Sequence, residues 1–319
     1  MSRLPGRGVT GRRRRSANGG RRSNISVPGG FLSGSNGFSD AVLNFRVAYT
    51  VEAKSNMIQI TVVALYGDKS SDFAALITRC QELSRGVLGV GFRPYNPSQI
   101  HATIFGLERK IGSAFYNANF SRYQGRDLVM NLEGILDYLR RCGHFPLAVQ
   151  VGGYGKRDYP FVSRQARPYE RSFSIQGDKV VVMGWPIRGK PFQKPPATPS
   201  ACVQEARRYP LTLDVVRHAA QVYGVLHAYH RALTDVDNDL FFRIGLLVDQ
   251  TSLTERVRDT LETEARHFLS TQPPLILDIR LEQVSVALYE EDTLPRSSTR
   301  VWSLADPDLT ASALMEDLR

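Results

Sequence analysis

The run Ile100-His101-Ala102-Thr103-Ile104-Phe105-Gly106 sets one imidazole and one hydroxyl two residues apart inside an apolar stretch. Side chains alternate across a strand, so His101 and Thr103 share a face while Ile100, Ala102 and Ile104 pack behind it. Imidazole takes up or releases a proton near neutral pH, and a hydroxyl can donate to a phosphoryl oxygen. The pair therefore suits an anionic oxygen centre such as a phosphodiester. The same residues also fit a half-buried strand with a hydrogen-bonded histidine and an ordinary β-branched threonine.

Other residues offer weaker chemistry. His227 and His230 lie three apart and could ligate a metal with Asp235, Asp237 or Asp239. No His-Glu-x-x-His or comparable ligand pattern supports one, so neither a metal nor a cofactor is expected. His144, His218 and His267 read as structural. Gly152-Gly153-Tyr154-Gly155-Lys156 lacks the Gly-Lys-Ser/Thr spacing of a phosphate loop and reads as a strand exit, with Tyr154 and Tyr159 placed to stack on a base at a cleft rim.

The elements that must position these groups alternate along the chain. Phe45 to Ala53 and Met57 to Tyr66 read as strands. A helix capped by Ser71 or Asp72 then carries Phe73, Leu76, Ile77, Cys80 and Leu83 inward until Gly86. A second helix near Leu128 to Cys142 leads to a strand from Phe145 to Val151. Val180 to Met183 form a short buried strand between loop-rich stretches near 152–178 and 188–210. A third helix covers Leu211 to Arg231, a strand runs from Asp239 to Val248, and a fourth helix aligns Val257, Leu261, Ala265 and Phe268. Leu281 to Tyr289 is the last strand. Strands and helices without regular βα repetition indicate an α+β fold.

With 319 residues and 42% hydrophobic content, the chain can bury a real core. The net charge of +10 points to nucleic acid until it is located: eight of those charges are arginines within residues 1–22, which contain no acid. Residues 1–40 are thus expected to be a disordered arm able to contact phosphate backbones without sequence preference, or a mere solubilising extension. The body is expected to span 41–309, with a C-terminal tail at 310–319. Cys80, Cys142 and Cys202 are too scattered for a zinc knuckle or a disulfide framework, which makes a reducing cytoplasm the expected location. No apolar run reaches the roughly 18 residues of a membrane span, and the N-terminus has no apolar signal segment.

The order of elements, with the His-x-Thr strand after the first helix, resembles the two-histidine (2H) phosphoesterase superfamily, which includes the 2′-5′ RNA ligase and cyclic phosphodiesterase proteins. Phe145 to Gly155 followed by Lys179-Val180-Val181-Val182-Met183-Gly184-Trp185-Pro186 looks like that family's middle strand pair, and Leu288 to Leu304 like its closing strand and tail. The resemblance covers roughly residues 45 to 305. It implies two pseudo-symmetric lobes of mainly antiparallel sheet, with outer helices, around a central cleft. Each lobe would give one His-x-Thr or His-x-Ser strand, and the two histidines would act as base and acid on a phosphodiester without a metal.

The second motif departs from the family. It should fall in Leu240-Phe241-Phe242-Arg243-Ile244-Gly245-Leu246-Leu247, where Arg243 stands in the histidine position and Gly245 in the hydroxyl position. A rival register puts Ser285 and Ala287 there; Arg243 is preferred because a helix and a strand then follow it. Guanidinium binds a phosphate oxygen bidentately but cannot act as a general acid at neutral pH. The resemblance therefore implies catalysis by His101, with Thr103 and Arg243 holding the substrate: an RNA end, a 2′,3′-cyclic phosphate, or a 2′-5′-linked or cyclic oligonucleotide. The alternatives are a catalytically silent nucleotide- or RNA-binding module and a plain interaction domain. No membrane partner is expected, and the sequence leaves the oligomeric state open.

Overall fold

The structure, a computed structural model, describes residues 57–110, 114–188, 210–251 and 253–318. The arginine-rich arm, the strand expected at 45–53 and residues 189–209 of the second loop-rich stretch lie outside these. Twelve strands and seven helices occur among the described residues. From the N-terminal side come β1 (Gln59–Ala64), α1 (Ser71–Leu88), β2 (Phe92–Pro94), β3 (Ala102–Gly106), β4 (Arg109–Lys110), β5 (Tyr116–Asn117), α2 (Ala118–Gln124) and α3 (Leu132–Arg141). The middle supplies β6 (Leu147–Val151), α4 (Pro168–Arg171), β7 (Phe173–Gln176), β8 (Lys179–Arg188), α5 (Thr212–Ala219) and β9 (Leu240–Leu247). The remainder forms α6 (Glu255–Thr271), β10 (Leu275–Ile279), β11 (Val284–Tyr289), β12 (Arg300–Ser303) and α7 (Ala311–Asp317).

Ten strands join one sheet in the order β10-β6-β8-β9-β3-β1-β11-β12, with β2 also on β9 and β7 also on β8. Every pairing between its strands is antiparallel. Helices plus a large antiparallel sheet make the fold α+β, as expected. β3 meets β9 at a single register pair, Ala102 opposite Phe242.

The packing follows the hydrophobic pattern. Ser70 caps α1 by accepting from Phe73 N, and Phe73, Leu76, Ile77 and Cys80 are buried beneath it. Helix α6 buries Leu261, Ala265 and Leu269 in the same core. β8 is covered on both faces: Val180 and Val182 enter the main core, while Val181, Met183 and Trp185 form a second cluster with Tyr154 and Phe161. Burial on both faces explains the unbroken apolar run in its sequence. No helix among the described residues is long and apolar enough to cross a membrane.

Several expectations are corrected. Helix α1 runs past Gly86 to Leu88, and the second long helix starts at Leu132, where the Asn131 side chain accepts from Gly134 N. The buried strand at 180–183 extends over Lys179–Arg188, and the 152–178 stretch contains α4 and β7. Strands β10 and β12 escaped the periodicity reading, as did α2. The helix expected over 211–231 ends at Ala219, followed by a short 3-10 turn to Tyr223 and by Gly224 at φ +75°. A Cβ at Gly224 would lie 2.3 Å from the Val129 carbonyl oxygen, so only glycine fits where the chain reverses. His227 and His230 therefore sit on a loop, not on a helix face. Residues 311–317, inside the expected tail, form α7, which buries Leu314.

Candidate functional site

His101, Thr103, Arg243 and Lys179 line one cavity of about 320 Å³. The burial pattern assigns the faces: Ile100, Ala102 and Ile104 are buried, while His101 and Thr103 keep part of their surface open to the cavity. On β9, Leu240, Phe242 and Ile244 are buried, and Phe241 and Arg243 face the same space. Continuing the Ala102–Phe242 register by one residue brings His101 beside Arg243 and Thr103 beside Phe241. The rival pair falls elsewhere. Ser285 and Ala287 are buried on β11, with Ala287 packed against Val63 and Leu294, and neither lines the cavity.

Two devices fix the reacting ends of this arrangement. A 3-10 turn at Pro97–Gln99, capped by the Asn96 side chain, delivers the Gln99 carbonyl to within 2.8 Å of His101 Nδ1. Nδ1–H then donates to that carbonyl, and the tautomer so assigned leaves the Nε2 lone pair free. On the other wall, the buried Gln81 amide of α1 donates to the carbonyls of Tyr95 and Ile244, at 2.8 Å each, and ties β9 to the chain leaving β2. Arg243 Nη1 donates to Tyr95 Oη at 3.3 Å and to the Asp292 carbonyl at 3.1 Å.

Burial pushes the His101 imidazole down from 6.5 to about 4; Arg243 and Lys69 add to the depression and the Gln99 carbonyl opposes it. The ring is therefore neutral at pH 7, the state a general base requires. Since the folded ring resists protonation until about pH 4 while the unfolded one protonates near 6.5, its contribution to stability is complete above pH 6.5 and is lost as pH falls towards 4. The drop in urea midpoint between pH 7 and pH 4.5 should accordingly be smaller in His101→Gln than in the unmodified protein. An equal drop in both would mean that the folded imidazole titrates normally.

Lys179 lies beside Arg243 at the head of β8, and burial followed by the Arg243 charge lowers its pKa. Neither cation is paired with a carboxylate among the described residues. An adjacent arginine and lysine with no carboxylate in direct contact offer a place for an anion, although Asp178 and Asp292 act on Lys179, and Glu108, Asp237, Asp239 and Asp292 also line the cavity.

Arg217, Asp237 and Asp239, which also line the cavity, form a buried polar network that the sequence did not disclose. Arg217, on α5, is 2% exposed. Its Nε donates to Ile104 O (2.7 Å) and its Nη2 to Thr103 O (3.1 Å) and Asp239 O (3.0 Å), while Nη1 donates to Asp237 O (2.9 Å). It also pairs with the Asp237 carboxylate at 3.2 Å. Burial opposes ionisation of Asp237, but Arg217 and His227 outweigh it and hold its carboxyl well below the usual range. Asp239 accepts from Trp185 Nε1 at 2.7 Å and from Ser163 Oγ at 2.8 Å.

His227 lines the cavity, but its Nε2 is 2.9 Å from Asp237 Oδ2 and its Nδ1 is buried without a partner. Burial, with help from Arg217, pushes its pKa down to about 3. Asp214, His218 and His230 cluster closely enough to invite a metal reading. The two imidazoles, however, stack 4.0 Å apart at 7°. In-plane lone pairs of parallel rings do not converge, so an ion between them would sit out of both ring planes. His230 Nε2 instead meets Asp214 Oδ1 at 2.8 Å, and the cluster reads as structural.

The expected rim aromatics are also corrected. Tyr154 is 1% exposed and packs edge-on to Trp185, with ring centroids 5.0 Å apart, while the Tyr159 hydroxyl accepts from Gly155 N. The aromatics that line the cavity are Phe241, Tyr289 and Tyr229, the last from the loop after Gly224. Lys179 carried a readable signal, a single cation at the start of an apolar strand; Arg217 and Tyr229 carried none.

No family model matches the chain, and no curated protein matches it. Among solved structures, that of TT0787 from Thermus thermophilus is similar at 10% identity, over 76% of this chain and 93% of that one, with a TM-score of 0.32. So distant a likeness leaves the reading of this chain to its own residues.

Proposed function

We propose that the cavity is a phosphodiester site and that the protein is a metal-independent phosphodiesterase of the two-histidine type that works with a single motif histidine. The observation that carries this reading is one cavity holding a neutral imidazole with a free Nε2, a neighbouring hydroxyl, and two cations that form no salt bridge among the described residues. Thr103 and Arg243 hold the phosphoryl oxygens, and Lys179 adds charge. His101 Nε2 takes a proton from the attacking water as its oxygen bonds to phosphorus. The bond from phosphorus to the ribose oxygen breaks, that oxygen takes a proton from solvent, and His101 later returns its own proton to solvent.

Arg243 has no proton to give, so the reading favours substrates whose leaving oxygen departs easily. A strained 2′,3′-cyclic phosphate on a nucleotide or at an RNA end is such a substrate. The pseudo-symmetric lobes and the contribution of the arginine-rich arm to RNA affinity belong to this proposal.

The test is hydrolysis of 2′,3′-cyclic nucleotides and of 2′-5′- and 3′-5′-linked oligonucleotides in EDTA. Turnover of the cyclic phosphate is expected, with affinity for inorganic phosphate about tenfold weaker in Arg243→Gln, the order of one lost charge-assisted hydrogen bond. Unchanged phosphate affinity in that variant would remove Arg243 from the site. A second reading, binding without turnover, is favoured by one observation: His227 Nε2 is held by Asp237, its Nδ1 is buried, and its pKa is pushed down to about 3, so it carries no proton to replace the missing acid. Phosphate binding without hydrolysis would decide for it.

A further inference from the structure

We infer that Tyr229, backed by Arg164, is a nucleobase platform, so that the cavity takes a nucleotide rather than a small phosphate ester. The inference rests on the phosphodiester reading above. Both residues line the same cavity as His101 and Arg243. The Arg164 guanidinium lies 3.6 Å from the centroid of the Tyr229 ring, a close cation–π stack. The tyrosine is nonetheless 44% exposed, although the residues on either side of the short loop, His227 and His230, are buried. The His227 ring also lies against that of Tyr229, tilted, with centroids 5.7 Å apart, and an aromatic ring so held yet partly exposed offers what a base requires, because every base has a π-face.

The fold commits backbone strain to this arrangement. Arg164 (φ +47°) and Gln165 (φ +66°) both adopt the left-handed conformation in the tight reversal between Ser163 and Ala166, whose N–H and carbonyl groups pair in both directions. Two consecutive non-glycine residues in that region are costly, and such strain persists only where surroundings impose it. Here the surroundings are Asp239, which accepts from Ser163 Oγ, and the carboxylates of Asp239 and Asp237, 3.6 and 3.8 Å from the Arg164 side chain. The Asp237 carboxylate that pairs with Arg217 thus also helps, with that of Asp239, to aim Arg164 at Tyr229.

Size agrees with this occupant. A cavity of about 320 Å³ lies at the lower end of the roughly 300–1,000 Å³ of small-molecule sites. That is room for one nucleotide, free or at the end of a chain, with its phosphate at Arg243 and Lys179 and its base against Tyr229.

The experiment measures binding of adenosine 2′,3′-cyclic phosphate, adenosine and inorganic phosphate by calorimetry to the unmodified chain, Tyr229→Ala and Tyr229→Phe. The expected result is that Tyr229→Ala binds the cyclic nucleotide about tenfold more weakly and phosphate equally well, while Tyr229→Phe stays close to the unmodified protein. Phosphate binding retained in Tyr229→Ala also shows that the variant has folded. Cyclic-nucleotide affinity no better than that for phosphate, or unchanged by Tyr229→Ala, overturns the platform while leaving the phosphodiester reading standing. Adenosine binding lost in Tyr229→Ala, with no phosphate binding in any protein, supports the platform and overturns the phosphodiester reading. No binding of any probe overturns both.

Discussion

His101→Ala is expected to lower turnover of a 2′,3′-cyclic nucleotide by about 10²- to 10⁴-fold, the usual loss when a general base is removed. The magnitude assumes that no other group takes the proton: of the carboxylates that also line the cavity, Asp237 and Asp239 are held in the Arg217 network and Glu108 by Asn119, which leaves Asp292 as the group that could act instead. His227 is the other histidine at the cavity, and it is committed to Asp237. Lys179 is held beside Arg243, and a guanidinium does not accept a proton at all. His101→Gln keeps a polar side chain of similar size but no imidazole nitrogen to accept the proton, and should be as inactive as the alanine variant. Both should still bind phosphate through Thr103, Lys179 and Arg243. Turnover within about tenfold of the unmodified protein in either variant would show that another group takes the proton. Loss of phosphate binding in both would show that the ring binds rather than reacts.

Arg217→Met should destabilise the fold by about 3–5 kcal/mol, the range for breaking a buried ion pair from one side. Methionine approximates the aliphatic stem but leaves the carbonyls of Thr103, Ile104, Asp237 and Asp239 without the donors they have now. It also leaves the Asp237 carboxylate buried with His227 and a more distant Arg164. Arg217→Lys keeps the charge but not the fork that serves four carbonyls, and should fall between the two. Urea denaturation at pH 7 measures the difference. A change below about 1 kcal/mol in Arg217→Met would mean that the network contributes little to stability.

The parts of this molecule that its sequence made legible are those governed by periodicity. The helix under Phe73 to Cys80, the strand bearing Arg243 and the two faces of the His101 strand follow from apolar spacing. The convergence of His101, Thr103 and Arg243 on one cavity also agrees with the alternation read along β3 and β9. Illegible were the groups whose burial contradicts their polarity. Asp214, Arg217, Asp237 and Asp239 scan as surface residues, and only their mutual pairing admits them to the interior. The break at Gly224 was hidden because Val225 and Leu226 continue the apolar run, although they are buried beyond the turn rather than on a helix. Tyr154 was misjudged for the opposite reason: its glycine neighbours read as an exposed loop, yet its ring completes the aromatic cluster under β8.

The strand order also has a consequence for how the chain comes to be folded. β6 to β10 follow one another in sequence and find partners among themselves as they emerge from the ribosome. β1 and β3 are made earlier and pair with each other, but the other edge of β1 waits for β11, and β11 for β12, both synthesised near the end of the chain. Closing so long a loop is the slow step in such a topology. The wall that carries Arg243 should therefore be standing before the outer edge of β1, beside the His101 strand, is covered, and a ribosome stalled before β11 should hold a nascent chain that protects the middle strands from proteolysis more strongly than β1.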